Sequence, residues 1–185
     1  MLDLYSSRAP ALSPLSTSAN PTVTLTPLAP ATRFVLRGDV AVRLAAGTAF
    51  GVALPEQPCG SARQDQRAAL WLGPDEWLLM DLSGPSEAAQ HALTAALAGL
   101  PHSLVDVSHR QTAIAVEGPK AELALNAFVP LDLSHTAFPV GMATRTIFEK
   151  AEIVLWRRAA DAFHVEVWRS FAPYVADLLS IVQSE

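Results

Sequence analysis

The chain has 185 residues, enough for one ordinary domain or two small halves that bury a core without disulfides or metals. Its net charge of -5 argues against nucleic-acid binding, and its single cysteine, Cys59, excludes an intrachain disulfide. Hydrophobic residues make up 50% of the chain and charged residues only 17%. This surplus predicts an exposed apolar interface, unless it merely reflects the many alanines.

The sequence lacks a signal peptide, a membrane span and a metal-binding motif. The first residues lack the basic start and apolar run of a signal peptide, and no apolar stretch is long enough to cross a bilayer. The five histidines are scattered, with no pair at metal-ligand spacing. We therefore expect a cytoplasmic protein without a metal site.

Residues 1–31 are rich in proline, serine, threonine and alanine, so we predict an extended arm rather than a helix. Within this arm, Thr22 to Leu25 is predicted to form a short edge strand. A proline-rich arm loses less entropy when it orders on a partner, which favours a contact segment. A disordered tail fits the same composition.

The first half, about residues 33–100, alternates predicted strands and helices. Its predicted strands are 34–36, 68–72 and 77–81, and residues 55–67 are predicted to be a loop. A short helix after Gly38-Asp39 has its apolar face at Ala41, Leu44 and Ala45. A second helix begins at the capping residue Ser86, and its apolar positions are Ala89, Leu93, Ala96, Leu97 and Leu100.

The second half, about residues 112–184, repeats this pattern after a strand at 103–107. Its predicted strands are 112–116, 144–148, 152–156 and 163–167. A helix after Gly118-Pro119 carries the apolar stripe Ala121, Ala124, Leu125 and Phe128. The last helix begins at Ser170, with a stripe of Phe171, Tyr174, Val175, Leu178 and Val182.

The two halves resemble each other in the order of their elements. Residues 34–50 and 114–128 both read as strand, glycine turn, short helix and phenylalanine, and RAALWL (67–72) resembles KAEIVL (150–155). We therefore predict an α+β fold made of two pseudo-repeated strand-helix-strand-strand-helix halves within a single domain, 32–185. A chance match of common elements is the alternative.

Residues 106–133, DVSHRQTAIAVEGPKAELALNAFVPLDL, resemble a segment of the folate-binding aminomethyltransferase family, typified by the T-protein of the glycine cleavage system. They resemble the gamma subunit family of heterotetrameric sarcosine oxidase more closely. Three more segments do so: WLGPDEWLL (71–79), TRTIFEKAEIVLWR (144–157) and VEVWRSFAPYVADLL (165–179). Together the four segments cover most of residues 33–183.

The resemblance implies a fold like the N-terminal folate-binding domain of the T-protein. It also implies a non-catalytic structural or interaction subunit of a sarcosine oxidase complex, in which sarcosine is demethylated to glycine. The partners would be the larger alpha and beta subunits, with a delta subunit left open. FAD, FMN, NAD and tetrahydrofolate would be bound by the other subunits. The alternative is a stand-alone folate-binding or aminomethyltransferase-like protein.

The sequence departs from the T-protein pattern where that family carries a glycine-rich stretch and paired aspartates, one of which contacts the folate amine. Here Gly141 leads directly into TRTIFEKAEIVLWRR, and only Glu149 and Glu152 are nearby carboxylates. On a strand, a spacing of three places them on opposite faces. We therefore predict that the chain does not bind folate productively.

Three groups of residues suggest chemistry that their surroundings do not support. Asp106, Ser108 and His109 resemble a fragment of a hydrolase triad, but neighbouring residues of an extended segment point to opposite faces and no G-x-S-x-G motif is present. Ser108 or Asp106 is instead predicted to fix a strand end. Cys59 lacks an activating neighbour. Gly38 and Gly118 are isolated turn glycines outside any phosphate-binding motif.

We predict no catalytic, cofactor-binding or metal-ligating residue in this chain, and look instead for a contact surface. Tryptophan and arginine are favoured at interfaces. The predicted interface residues are Trp156 with Arg157 and Trp168 with Arg169. A solvated face is the alternative for the arginines of the second half.

Overall fold

The computed structural model describes Leu12 and residues 22–183, so most of the predicted arm (1–11 and 13–21) lies outside the described residues. The described residues fall into two compact units. Unit 1 contains Ala29–His109, and unit 2 contains Leu12, residues 22–28 and residues 110–183. The single domain expected over 32–185 stays a prediction.

The secondary structure over these residues consists of ten strands and four helices. The first seven elements are β1 Thr24–Pro27, β2 Thr32–Gly38, α1 Val40–Phe50, β3 Ser61–Gln64, β4 Arg67–Gly73, β5 Glu76–Asp81 and α2 Glu87–Ala96. The other seven are β6 His102–Asp106, β7 Gln111–Glu117, α3 Ala121–Asn126, β8 Ala143–Phe148, β9 Ala151–Ala159, β10 Ala162–Trp168 and α4 Ala172–Gln183.

Unit 1 is an antiparallel sheet with strand order β3-β4-β5-β2-β6, and α1 and α2 pack on one of its faces. The core between sheet and helices includes Phe34, Leu36, Phe50, Trp77, Leu79 and Leu93. Residues 55–67 were predicted to be a loop, and this was wrong for Ser61–Gln64, which form β3. This strand is polar and lies at the sheet edge, so it lacks the apolar alternation of a buried strand.

The two helices of unit 1 differ in how well their buried faces were predicted. In α2, Ser86 accepts a hydrogen bond from the backbone N–H of Ala89, and Ala89, Leu93 and Leu97 are buried as predicted. In α1 the predicted face was wrong. Its buried side is formed by Val42, Ala46, Gly47 and Phe50, whereas Leu44 is 59% exposed.

Unit 2 contains a second antiparallel sheet with strand order β1-β7-β10-β9-β8, covered on one face by α3 and α4. The predicted edge strand is present as β1, two residues later than expected, and pairs with β7. Val23 and Leu25 are buried in this core. The last part of the predicted arm is therefore a strand of unit 2.

The apolar stripes of α3 and α4 were predicted with different success. In α3, Ala121, Ala124 and Leu125 are buried as expected. In α4 the fully buried residues are Ala172, Val175, Ala176 and Leu179, so the buried face is rotated from the predicted stripe. Phe171, which directly precedes the helix, is 40% exposed. Small alanines beside larger apolar residues widen the apolar arc, so the pattern alone does not fix the rotation.

The two units share one topology, which confirms the predicted α+β fold of related halves. Each half has one more strand between its helices than the predicted strand-helix-strand-strand-helix order. Each contains strand, helix, three strands and helix in that order, and β3-β4-β5-β2 corresponds in position to β8-β9-β10-β7. The fifth strand comes from different places. It is β6, after α2, in unit 1, and β1, from the start of the described chain, in unit 2.

Candidate interaction surface and buried polar groups

The first pair of predicted interface residues lies in the interior. Trp156 is 3% exposed and Arg157 is 0% exposed, both on β9. A side chain without accessible surface cannot contact a partner in this conformation. The interface prediction therefore depends on Trp168 and Arg169.

Arg157 uses its guanidinium to hold a loop of its own unit. Its Nη1 donates to the carbonyls of Leu133 at 2.7 Å and Phe138 at 2.8 Å, and its Nη2 donates to Ala160 O at 2.8 Å. Glu122 supplies a carboxylate oxygen 2.9 Å from Nη2. The arginine thus satisfies several backbone acceptors at once, which fixes the segment between α3 and β8.

The same loop contains a carboxyl group with a shifted pKa. The backbone N–H of Ser134 donates to Asp132 at 2.9 Å, and this bond, with a second one from the Ser134 side chain, lowers the pKa of Asp132 below its usual value. A depressed pKa means that the charged carboxylate supports the folded loop above the unfolded-state pKa. That support is lost as the pH falls through the folded-state pKa.

Trp168, at the end of β10, is the exposed member of the predicted interface residues, with 38% of its surface accessible. The guanidinium of Arg110 lies 5.0 Å from the centre of its ring, a cation–π contact. The backbone N–H of Phe171 donates to Trp168 O at 2.8 Å, and Phe171 is 40% exposed. We call Arg110, Trp168, Arg169 and Phe171 the Trp168 surface. Its role as an interface stays a prediction.

Sequence reasoning missed a buried polar pair on β10. His164 and Glu166 are both 0% exposed, and His164 Nε2 lies 2.7 Å from Glu166 Oε1. The other ring nitrogen, His164 Nδ1, is buried and has no hydrogen-bond partner among the described residues. The signal was the i, i+2 spacing, which places both side chains on the sheet face opposite the helices. Their burial leaves them without access to a substrate.

The apparent hydrolase triad serves a structural role in unit 1. Ser108 is 4% exposed, and its Oγ accepts a hydrogen bond from the backbone N–H of Arg33 at 2.8 Å. Asp106 accepts from the backbone N–H of Ser108, also at 2.8 Å, while His109 is exposed. The prediction that these residues fix a strand end is confirmed.

We expect Ser108→Ala to lower the free energy of unfolding by about 1–2 kcal/mol, because the buried N–H of Arg33 loses its acceptor. Chemical denaturation of the full chain measures this loss. Ser103→Ala, at an exposed position of β6, is the matched control and should change little. Any esterase activity of the wild-type chain should survive in Ser108→Ala, and its disappearance would support a nucleophilic serine.

The region that distinguishes the chain from the T-protein pattern is a tight hairpin. β8 and β9 are joined by Glu149 and Lys150 alone, with Phe148 paired to Ala151. Glu149 lies in this turn at φ 51°, and Glu152 is exposed on β9. Two exposed carboxylates, one in a turn and one on a strand, do not form a buried paired acid for a folate amine.

Metal ligands, the single cysteine and the helices were the other candidate features of the described residues. Among residues 22–183 and Leu12, no group of three or more His, Cys, Asp or Glu side chains is arranged to hold a metal ion. Cys59 is half-buried in a turn at φ 60°. In the part of the chain that the structure describes, no helix is both long and apolar enough to cross a lipid bilayer.

Comparison with known proteins gives a consistent relationship. The profile described as "Sarcosine oxidase, gamma subunit family" matches residues 37–185. The chain is 34% identical over 140 residues to sarcosine oxidase subunit gamma of Corynebacterium sp. (strain P-1), covering 74% of this chain and 67% of that protein. It is 36% identical over 124 residues to the same subunit of an Arthrobacter sp., covering 65% of this chain and 59% of that protein.

Solved structures agree with the sequence relationship. The chain matches a chain of the heterotetrameric sarcosine oxidase from Corynebacterium sp. U-96, in complex with pyrrole 2-carboxylate, with a TM-score of 0.82 and 31% identity over 88% of this chain and 84% of that one. Aminomethyltransferase T of Bartonella henselae matches with a TM-score of 0.62 and 13% identity, over 85% and 45%. The second likeness confirms the predicted T-protein-like fold. By the extent of the profile and of the identity, the chain belongs to the sarcosine oxidase gamma subunit family.

Proposed function

We propose that this chain is a non-catalytic structural and interaction subunit of a heterotetrameric sarcosine oxidase, with the other subunits of that enzyme as its partners. The main support for this proposal is the match to a chain of the heterotetrameric enzyme over 88% of this chain. The interior supports the same proposal, because Ser108, which resembles part of a hydrolase triad, binds the backbone N–H of Arg33 instead.

In this proposal the other subunits oxidise sarcosine to glycine. They also bind FAD, FMN, NAD and tetrahydrofolate. The two-residue hairpin between β8 and β9 supports this assignment for tetrahydrofolate, because its carboxylates do not fit a folate amine. The cytoplasmic location stays a prediction.

Co-expression with the alpha and beta subunits of the same organism tests the proposal. We expect a tagged alpha subunit to retain this chain through size exclusion at low salt, with a single peak of sarcosine-oxidising activity. A chain that elutes alone at low salt would contradict the assignment. The matched control is a complex in which Ser108→Ala replaces the wild-type chain. Its turnover should be unchanged, because Ser108 is assigned no chemistry.

The stand-alone folate-binding alternative predicts that tetrahydrofolate quenches tryptophan fluorescence of the isolated chain in a saturable way. The chain has four tryptophans to report such binding. We expect no saturation up to millimolar ligand. Saturable quenching by tetrahydrofolate, and not by an absorbance-matched chromophore, would favour the alternative.

A further inference from the structure

The Trp168 surface is the exposed aromatic part of unit 2. Trp168 and Phe171 are the two aromatic side chains among the exposed large hydrophobic residues of the described chain, at 38% and 40%. They lie three residues apart, and the hydrogen bond from Phe171 N–H to Trp168 O holds them in one turn. Tryptophan is enriched among the residues that dominate binding energy at interfaces. A partner that covers both rings would remove a large apolar area from water.

Paired strands fix the position of this surface. Trp168 is the last residue of β10 and is paired with Gln111 of β7. Just before β7, the carbonyl of Arg110 accepts a hydrogen bond from the backbone N–H of Arg169 at 2.9 Å. The guanidinium of Arg110 lies 5.0 Å from the centre of the Trp168 ring. Backbone hydrogen bonds therefore hold the arginine and the ring together before a partner binds, which lowers the entropy cost of binding.

The guanidinium of Arg110 is exposed and forms no ion pair with any carboxylate of the described residues. By contrast, Arg43, Arg67 and Arg157 each pair with a carboxylate of this chain. A guanidinium has five N–H donors, which an aromatic ring does not satisfy as a carboxylate does. The stacked Arg110 is thus an ordered cation that is available to a carboxylate of another molecule.

A carboxylate of opposite charge lies across the ring from Arg110. The pairing of β9 with β10 reaches Ile153 and Val167, so the next two residues, Glu152 and Trp168, lie opposite each other. Glu152 is exposed, and no cation within 22–183 forms an ion pair with it. Because β10 lies between β7 and β9, Arg110 and Glu152 flank Trp168 on two sides. Two strand spacings separate their backbones, about 10 Å.

We propose that the Trp168 surface docks a segment of another sarcosine oxidase subunit that covers the Trp168 and Phe171 rings, with an acidic side chain on Arg110 and a basic side chain opposite Glu152. This inference rests on the proposed function and names the surface through which that function operates. The rings provide the buried area, and the two unpaired charges determine the orientation of the segment. The proposed function requires unlike subunits as partners, which selects them over a second copy of this chain.

Charge reversal at Arg110 tests the contact. Arg110→Glu should weaken binding to the co-expressed alpha and beta subunits by about tenfold or more, measured by titration of the labelled full chain. Lys120→Glu is the matched control, because it makes the same change of charge at an exposed site beyond the other end of β7. It should leave the affinity unchanged. No loss in Arg110→Glu, or equal losses in both variants, would overturn the docking site. A wild-type chain that binds neither subunit would overturn the proposed function itself.

Exchanging the two charges distinguishes another subunit from a second copy. In a twofold contact between copies, Arg110 of one copy would meet Glu152 of the other, so the double variant Arg110→Glu, Glu152→Arg would restore the contact. With another subunit both contacts become repulsive, and we expect the double variant to bind more weakly than Arg110→Glu alone. Recovery of the wild-type affinity would overturn the proposed order of charges. A dimer of the isolated chain that Arg110→Glu dissociates and the double variant restores would assign the surface to a second copy.

Hydrogen exchange of the wild-type chain provides a measurement that needs no variant. Exchange should slow over residues 169–175 when the complex forms, because the turn at Phe171 and the start of α4 would be covered. Exchange over residues 121–126 of α3 should stay the same. Unchanged exchange over 169–175 in a complex that does form would contradict the docking site and leave the proposed function standing.

Discussion

Replacement of Gly118 by alanine is expected to detach β1 from the sheet of unit 2. Gly118 has φ +123°, and a β-carbon there would lie 2.5 Å from the carbonyl oxygen of Thr22. The segment after Thr22 would have to move, and it carries Val23 and Leu25 into the core. We expect a loss of roughly 3 kcal/mol or more in the free energy of unfolding, combining backbone strain with lost packing. Denaturant unfolding of the full chain measures it.

Gly84 provides the matched control for this variant. It has φ +127°, nearly the same as Gly118, but a β-carbon there would have no atom within 4 Å. Gly84→Ala should therefore lose only the backbone strain, about 1–3 kcal/mol. The difference between the two variants isolates the contact with Thr22. If both lose the same free energy, the close approach of β1 to Gly118 is not important for stability.

Arg157→Met should be the most destabilising substitution at a charged residue. Methionine preserves much of the volume, but the carbonyls of Leu133 and Phe138 lose a buried donor. The carbonyl of the exposed Ala160 also loses this donor, but water can replace it. Each orphaned acceptor costs about 1–3 kcal/mol, so we expect a total loss of about 3–5 kcal/mol. Glu122 is partly exposed and can be solvated, so it adds little to this loss. Urea unfolding measures the loss.

Arg63→Met is the matched control, because Arg63 is exposed and donates to the nearby carbonyl of Asp65. Its stability should stay within about 0.5 kcal/mol of the wild type. Limited proteolysis adds a local measurement, since cleavage within 129–142 should accelerate in Arg157→Met alone. Equal stability of the two variants would show that the loop does not depend on Arg157.

The predictions from sequence succeeded where a local chemical signal agreed with the periodicity. Ser86 and the apolar spacing of Ala89, Leu93 and Leu97 both indicate one helix with one buried face, and α2 has that face. In α1 the apolar residues surround the helix, so the sequence allows several rotations and tertiary packing selects Val42 and Phe50.

The buried polar groups were harder to predict, because their partners are not encoded by residue type. Arg157 binds the backbone carbonyls of Leu133 and Phe138, which any residue could provide. A sequence containing an arginine next to Trp156 therefore suggests an exposed interface as readily as an interior site. Ser108 was predicted better, since serine near a strand end commonly binds the backbone locally.

The origin of β1 has a consequence for synthesis on the ribosome. This strand belongs to the sheet of unit 2, yet it leaves the ribosome before any residue of β7, its neighbour in that sheet. At about 5–20 residues per second, β1 remains without its native partner for several seconds while the chain up to Glu117 is translated. During that interval its apolar positions and backbone groups are available for incorrect pairing.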